Sequence, residues 1–219
     1  MVLPIISYVY LSILLLSALA SILVHFQSNS PPHLKYFTPF LLLTFGVEIF
    51  GRVLDRRGQN NLPLYNCFTL FEFVFYFCIL YRILRVRIVR KIILYSIFLY
   101  PVITLMNIFF VKGIQKFHLY TYLLGAFLTV GFCAFYFREL MKMSLFPSPK
   151  SEPNFWIVCG LFIYYSGSLP LMAAVYLMDD FSMDMLHMMA VLLMVLNYIL
   201  YSLFALAFLC DVIYRKPLS

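Results

Sequence analysis

The stretch that decides the fold runs from Leu62 to Leu84 and reads LPLYNCFTLFEFVFYFCILYRIL. It is 23 residues long, and its only ionisable acid and base are Glu72 and Arg82. A helix needs roughly 20 apolar residues to cross a hydrocarbon core about 30 Å thick. We therefore predict that this stretch spans a membrane and that Glu72 lies about 15 Å from the outer end of the span.

The composition supports the same environment for the whole chain. Of its 219 residues, 64% are hydrophobic and only 11% are charged, whereas soluble domains carry about 25% charged residues. The net charge of +7 is spread over short basic clusters between apolar runs. A nucleic-acid-binding protein needs its basic residues gathered on one solvated face, so we predict no nucleic-acid partner.

Seven segments are long and apolar enough to span the bilayer, and short polar breakers separate them. The first segment lacks the basic region and the cleavage site of a secretory signal, so we interpret it as a span. The predicted fold is all-α: a single domain, residues 1–219, built as a polytopic bundle of seven transmembrane helices. The predicted spans are Pro4 to Phe26, Phe37 to Leu54, Leu62 to Leu84, Ile92 to Val111, Leu119 to Phe137, Phe155 to Met178 and Met185 to Cys210.

The distribution of basic residues predicts the orientation, because Lys and Arg near span ends are retained in the cytoplasm. Seven spans put eleven basic residues on one face and four on the other, which places the amino terminus outside and the carboxyl terminus in the cytoplasm. An acidic loop with Asp179, Asp180 and Asp184 then falls outside. The eleven are Lys35, Arg82, Arg85, Arg87, Arg90, Lys91, Arg138, Lys142, Lys150, Arg215 and Lys216; the four are Arg56, Arg57, Lys112 and Lys116.

Ionisable residues inside the spans are the first candidates for a functional site, because charge at bilayer depth is costly and usually faces the bundle interior. Glu48, Arg52 and Asp55 follow a spacing of four and three residues, so they lie along one helical face. Asn66 and Glu72 belong to the next span, which should be a neighbour because the loop between the two is short. We expect Glu72 to face Glu48 and Arg52 across the contact between these spans.

Further polar residues of the sixth and seventh spans fall at compatible depths, which predicts a polar cavity open to the outside. Three interpretations remain: a structural clasp between helices, a ligand or ion site, and a catalytic pair of carboxylates. The residues predicted for the cavity are Glu48, Arg52, Asp55, Asn66, Glu72, Tyr165, Ser166, Asn197 and Tyr201.

A basic cluster follows the third span and comprises Arg82, Arg85, Arg87, Arg90 and Lys91. It is first of all a determinant of orientation. A second interpretation is a site for anionic lipid headgroups, which juxtamembrane basic clusters attract.

Several activities are disfavoured by missing motifs. No span carries the lysine of a retinal protein, and the four histidines are dispersed, unlike those of zinc-dependent seven-helix hydrolases. No Gly-x-Ser-x-Gly or phosphate loop occurs, and the five cysteines lie in apolar runs without a Cys-x-x-Cys pair, which predicts buried free thiols. We predict no catalytic residue, no metal and no cofactor.

Two segments carry a resemblance to known proteins: NNLPLYNCFTLFEFVFYFCILYR, Asn60 to Arg82, and FWIVCGLFIYYSGSLPL, Phe155 to Leu171. They resemble uncharacterised seven-helix inner-membrane proteins of Bacteroidetes-type bacteria and the membrane part of some sensor kinases. The resemblance implies a bacterial inner membrane and a role in sensing. The chain shows no kinase motif, so any signal would pass to a separate cytoplasmic partner.

The function expected from the sequence is a non-enzymatic sensory or regulatory membrane protein that binds a small ligand, ion or lipid in the outward-facing cavity. The alternative is a transporter, a pore or an accessory membrane effector that uses the same polar groups. A membrane enzyme acting on lipid comes third. Partners other than the lipid bilayer and the cytoplasmic partner, and the oligomeric state, are left open by the sequence.

Overall fold

The computed structural model describes residues 2–27, 29–142, 151–177 and 182–214, and the side chains of these residues except 2–7, 111–112 and 175–177. Lys150, Asp179, Asp180, Arg215 and Lys216, on which part of the predicted orientation rests, lie outside the described residues.

Within the described residues the chain is helical. Seven helices are long and apolar enough to cross a membrane, so the predicted multi-pass helical architecture is confirmed. A short helix, Pro32–Lys35, that the sequence did not predict precedes the second span. The helices are α1 Val2–Leu23, α2 Pro32–Lys35, α3 Phe37–Arg56, α4 Leu62–Ile83, α5 Arg87–Met106, α6 Leu119–Met141, α7 Pro153–Leu177 and α8 Met183–Tyr214.

Several helices begin or end at other residues than the predicted spans; α6, for example, continues from the predicted end Phe137 to Met141. The fourth span was expected to begin at Ile92, but α5 begins at Arg87, so part of the basic cluster forms its first two turns. The same helix continues beyond Met106 as a π-helix, Asn107–Lys112. The last predicted span ended at Cys210, whereas α8 continues to Tyr214. A helix can continue through charged and polar residues beyond the hydrocarbon core, and hydropathy does not predict where such an extension ends.

Six of the seven spanning helices close into a ring. Helix α1 packs against α3 and α8, α3 packs against α4, α4 against α6, α6 against α7, and α7 against α8. Helix α5 lies outside this ring, against α4 and α6, and exposes large apolar side chains such as Phe98 and Leu99. An apolar exterior is what contact with lipid chains requires.

Aromatic side chains fill the centre of the ring. On α4, the helical period sends Phe73 and Phe77 towards α5, α6 and α7, and Phe75 towards α3, where its ring stacks on Phe40 with centroids 3.9 Å apart. Phe73 reaches α6 because Gly125 leaves space: a Cβ atom at this glycine would lie 2.8 Å from the Phe73 ring. The opening stretch therefore supplies aromatic side chains to the core from one side of the ring.

Hydrogen bonds between loops and helix ends define two opposite faces of the bundle. On the amino-terminal face, Asn60 of the α3–α4 loop donates to Gln115 of the α5–α6 loop. On the carboxyl-terminal face, Ser30 donates to Asp211 near the end of α8, and His33 bonds to Asn154 at the start of α7. The helices thus run alternately up and down.

The five cysteines are free, but they are not all buried. Cys133 and Cys210 are buried, whereas Cys67 and Cys78 are exposed on the outside of α4. The prediction of burial is wrong for these two because the outer surface of a membrane bundle is as apolar as its core.

Candidate functional site

Glu48, half-buried on α3, lies at the centre of a group of tyrosines. Its Oε1 accepts a hydrogen bond of 3.1 Å from the Tyr10 hydroxyl of α1, and the Tyr65 hydroxyl of α4 also bonds to it. Arg52, one turn further along α3, interacts electrostatically with Glu48, and its Cζ atom lies 5.8 Å from the centre of the Tyr10 ring. Helices α1, α3 and α4 therefore meet at this carboxylate.

Glu72 lies one helix away and faces the same region. Its Oε1 accepts a hydrogen bond of 3.3 Å from the Tyr76 hydroxyl, one turn later on α4, and its charge interacts with that of Glu48. The interaction between Glu72 and Glu48 is electrostatic, and the predicted contact of Glu72 with Arg52 stays a prediction. Tyr76 itself is completely buried.

Tyrosines of α7 and α8 complete the enclosure. Tyr201 of α8 is buried with its ring centre 5.9 Å from that of Tyr10, and Tyr165 of α7 packs 6.1 Å from Tyr76. The Tyr165 hydroxyl is buried and has no hydrogen-bond partner among the described residues. We call the following set the core polar cluster: Tyr10, Glu48, Arg52, Tyr65, Glu72, Tyr76, Tyr165 and Tyr201.

The cluster is closed towards the carboxyl-terminal face. Phe37, at the start of α3, packs edge-on against Phe204 and Phe208 of α8, with ring centres 5.1 and 5.5 Å away. All three side chains are completely buried. Phe37 lies about three turns before Glu48 on α3, and Phe204 and Phe208 lie about one and two turns after Tyr201 on α8. An aromatic layer therefore separates the core polar cluster from that face.

Asn66, also predicted for the cavity, belongs to a different structure. Its side-chain amide donates to the carbonyls of Ile114 and Lys116 at 3.1 and 2.8 Å, and its Oδ1 accepts from the His118 backbone N–H. The buried His118 ring bonds in turn to the Asn66 carbonyl and to the Thr121 hydroxyl. Asn66 and His118 therefore fasten the α5–α6 loop onto α4.

Three other predicted residues lie away from the core polar cluster or at its edge. Ser166 is exposed on the surface of α7, whereas Ser168 is buried and accepts a hydrogen bond of 3.1 Å from Tyr122. Asn197 donates to the carbonyl of Leu193 in its own helix. Asp55 is exposed at the end of α3, within electrostatic range of Tyr65.

Sequence reasoning missed the tyrosines that make most of the polar contacts, namely Tyr10, Tyr65 and Tyr76. Tyrosine counts as an apolar residue in a membrane span, so hydropathy does not identify its hydroxyl as a polar group. A signal did exist for one of them: Glu72 and Tyr76 are four residues apart, the spacing at which helical side chains meet.

The basic cluster, Arg82 to Lys91, lies at the corner between α4 and α5 on the carboxyl-terminal face, away from the core polar cluster. No group of three histidine, cysteine or carboxylate side chains is arranged to hold a metal ion in the described parts of the chain. The chain matches no protein-family model, and neither a curated protein nor a solved structure is detectably similar to it.

Proposed function

We propose that this protein is a non-enzymatic membrane sensor or regulator whose core polar cluster binds a small ligand carrying a positively charged amine. The connected set of two carboxylates, one guanidinium and five tyrosines in the core polar cluster carries this proposal. With all three groups ionised, Glu48, Glu72 and Arg52 sum to one negative charge. Uncompensated charge is costly in the membrane interior, so a monovalent cation is the complementary ligand.

The tyrosine rings support an amine in particular. Organic ammonium groups are attracted to the faces of aromatic rings, and cages of such rings recognise them in many proteins. The Tyr76 hydroxyl bonds to Glu72, and the Tyr201 ring packs against Tyr10, which bonds to Glu48. A bound ammonium group would therefore meet both kinds of partner. Glu48 and Glu72 would attract the positive charge, and the tyrosine rings would form cation–π contacts with the ammonium group.

The proposed output is a movement of α1 and α8 at the carboxyl-terminal face, which the positive-inside pattern assigns to the cytoplasm. Both helices contribute a tyrosine to the cluster, Tyr10 and Tyr201. The segment that follows α1 meets the end of α8, where Ser30 bonds to Asp211 and Gln27 donates to the carbonyl of Val212. A cation that alters the Tyr10 contact can therefore bias this second contact, and a cytoplasmic partner would read it.

Choline titration of the purified protein tests the proposal. Choline is expected to raise the midpoint of thermal unfolding saturably in the unaltered protein, and Glu48→Gln and Glu72→Gln are expected to abolish the rise. Asp184→Asn, which removes an exposed acid at the start of α8, is the matched control and should respond like the unaltered protein. An equal response in all four proteins, or none in the unaltered protein, contradicts a cation site at the cluster.

Two measurements separate the sensor from its alternatives. Hydrogen exchange at residues 27–35 and 205–214 should change on choline addition in the unaltered protein and stay constant in Glu72→Gln. A transporter, the second candidate, would instead carry choline into proteoliposomes. The aromatic layer of Phe37, Phe204 and Phe208 argues against a continuous path, and Glu72-dependent uptake would overturn the sensor assignment.

A further inference from the structure

The corner between α4 and α5 concentrates positive charge that the core polar cluster does not use. Five of the ten residues from Arg82 to Lys91 are basic. Three of them, Arg87, Arg90 and Lys91, line one cavity of about 230 Å³ together with Tyr81 and Leu94. We call this cavity the basic pocket.

Arg90 is held in a fixed position in the basic pocket but is incompletely bonded. Its Cζ atom lies 4.4 Å from the centre of the Tyr81 ring, which fixes the guanidinium by a cation–π contact. Its Nε atom is buried and has no hydrogen-bond partner in the described part of the chain. A buried, unsatisfied donor on a cation favours a ligand with anionic oxygen acceptors.

An apolar groove continues from the basic pocket along the outside of the bundle. It has a volume of about 350 Å³ and runs between α3, α4 and α5, lined by Phe75, Ile79 and Ile97 among others. Tyr81 lines both cavities, and Arg82 lies at the end of the groove. From Phe75 to Arg82 the groove follows α4 for roughly 10 Å, a length suited to a hydrocarbon chain.

The carboxylate at this corner is engaged by backbone groups and does not line the basic pocket. Glu139 accepts the backbone N–H groups of Arg85 and Val86 and lines a separate cavity with Arg138 and Lys142. None of the described residues that line the basic pocket or the groove is acidic. The complement of the two cavities is therefore a molecule with an anionic head and an apolar tail.

We propose that this corner is a binding site for an anionic glycerophospholipid, with its phosphate in the basic pocket and one acyl chain in the groove. Helix α4 ends at Ile83 and α5 begins at Arg87, so the pocket lies at the end of the spans, the depth of lipid headgroups. The site lies apart from the core polar cluster and does not depend on what that cluster binds.

The test compares lipids added to the protein in a neutral detergent. Phosphatidylglycerol at a tenfold excess over its dissociation constant should raise the unfolding midpoint by roughly 3–6 °C. Phosphatidylcholine with the same acyl chains should raise it much less. Equal effects of the two lipids would overturn the proposal. An equal effect of inorganic phosphate would overturn the acyl-chain part of it and leave a simple anion site.

Matched variants locate the site. Arg87→Gln with Arg90→Gln removes two charges from the basic pocket, and Arg138→Gln with Lys142→Gln removes two from the neighbouring cavity beside Glu139. Only the first pair should lose the response to phosphatidylglycerol. Equal losses in both pairs would mean that general surface charge attracts the lipid, contrary to the proposal.

A second pair of variants tests the groove without removing charge. Ile97→Trp should fill the groove and weaken the response to phosphatidylglycerol, whereas Ile88→Trp, at a side chain that is 72% exposed, should leave it unchanged. Native mass spectrometry would count retained lipids in the same variants. Full retention by Ile97→Trp would exclude the groove as the acyl-chain site.

Discussion

The Tyr65 ring lies against the backbone of α3 at Gly51, so closely that a Cβ atom at this glycine would be 2.5 Å from the Tyr65 hydroxyl oxygen. This contact directs the hydroxyl towards Glu48, one turn earlier on α3. The glycine thereby shapes the core polar cluster, although it contributes no polar group to it.

Gly51→Ala is expected to push the Tyr65 ring away from α3 and weaken its bond to Glu48. Overpacking of a well-packed contact typically lowers the free energy of unfolding by about 1–3 kcal/mol. Gly46→Ala on the same helix is the matched control, because nothing lies within 4 Å of a Cβ atom there. Reversible unfolding in mixed micelles measures both, and equal stabilities would refute the steric role of Gly51.

A second glycine governs the contact between α4 and α6. A Cβ atom at Gly125 would lie 2.8 Å from three atoms of the Phe73 ring, which is completely buried among Tyr100, Tyr122 and Tyr165. The ring has no space into which to move. We therefore expect Gly125→Ala to lower the free energy of unfolding by about 2–3 kcal/mol.

Gly131 provides the control on the same helix, since its Cβ position has no neighbour within 4 Å. Gly131→Ala should unfold at the same denaturant concentration as the unaltered protein or a higher one, because alanine favours the helix. Near-ultraviolet circular dichroism reports the tyrosine packing around Phe73 and should change only in Gly125→Ala. The same unfolding midpoint for both variants would show that α4 and α6 do not need the close approach.

Glu139 fastens the α4–α5 corner to the end of α6. Its two carboxylate oxygens accept the backbone N–H groups of Arg85 and Val86 at 3.1 and 3.0 Å, directly before α5 begins. The negative charge also lies at the positive end of the α5 dipole. Glu139→Ala should lower the free energy of unfolding by about 1 kcal/mol and speed amide exchange at residues 84–88.

The control for this prediction is Glu139→Gln, which keeps one oxygen acceptor but loses the charge. It should fall between the unaltered protein and Glu139→Ala. If the amides at residues 84–88 exchange as slowly in both variants as in the unaltered protein, the corner is held by the packing of α4 and α5 alone.

The seven spans could be predicted from the sequence because, in lipid, length and hydropathy decide which segments must be helical. The sequence was also sufficient to place Glu48 and Glu72 on neighbouring helices, since the loop between α3 and α4 is short. The orientation in the membrane and the identity of a ligand stay predictions. They depend on interactions with lipid and small molecules that helix spacing does not encode.

Other features of the site could not be predicted, for two physical reasons. The rotation of each helix is set by packing partners distant in sequence, as Phe73 and Gly125 illustrate, so the tyrosine contacts had no local signature. Asn66 was predicted for the cavity because of its depth along α4. The α5–α6 loop packs against α4 at that depth, however, and both polar groups of the Asn66 side chain bond to its backbone. A loop's path cannot be inferred from helix periodicity.

The bond between His118 and Asn66 should make the α5–α6 loop sensitive to pH. Burial lowers the pKa of His118 below its ordinary value of 6.5. The folded loop then binds a proton less readily than the open loop. Its stability is complete above pH 6.5 and decreases as the pH falls below that value. Each unit of pKa difference corresponds to a roughly tenfold change in the opening equilibrium once the pH lies below both values.

Amide exchange at residues 113–118, corrected for intrinsic rates, should therefore reveal more frequent opening at pH 5.5 than at pH 7.5. His118→Gln removes the titrating group and should make the opening independent of pH in this range. His187→Gln, which replaces an exposed histidine at the start of α8, should keep the pH dependence of the unaltered protein. If the dependence persists in His118→Gln, another titrating group controls the loop, and the bond to Asn66 is only a packing contact.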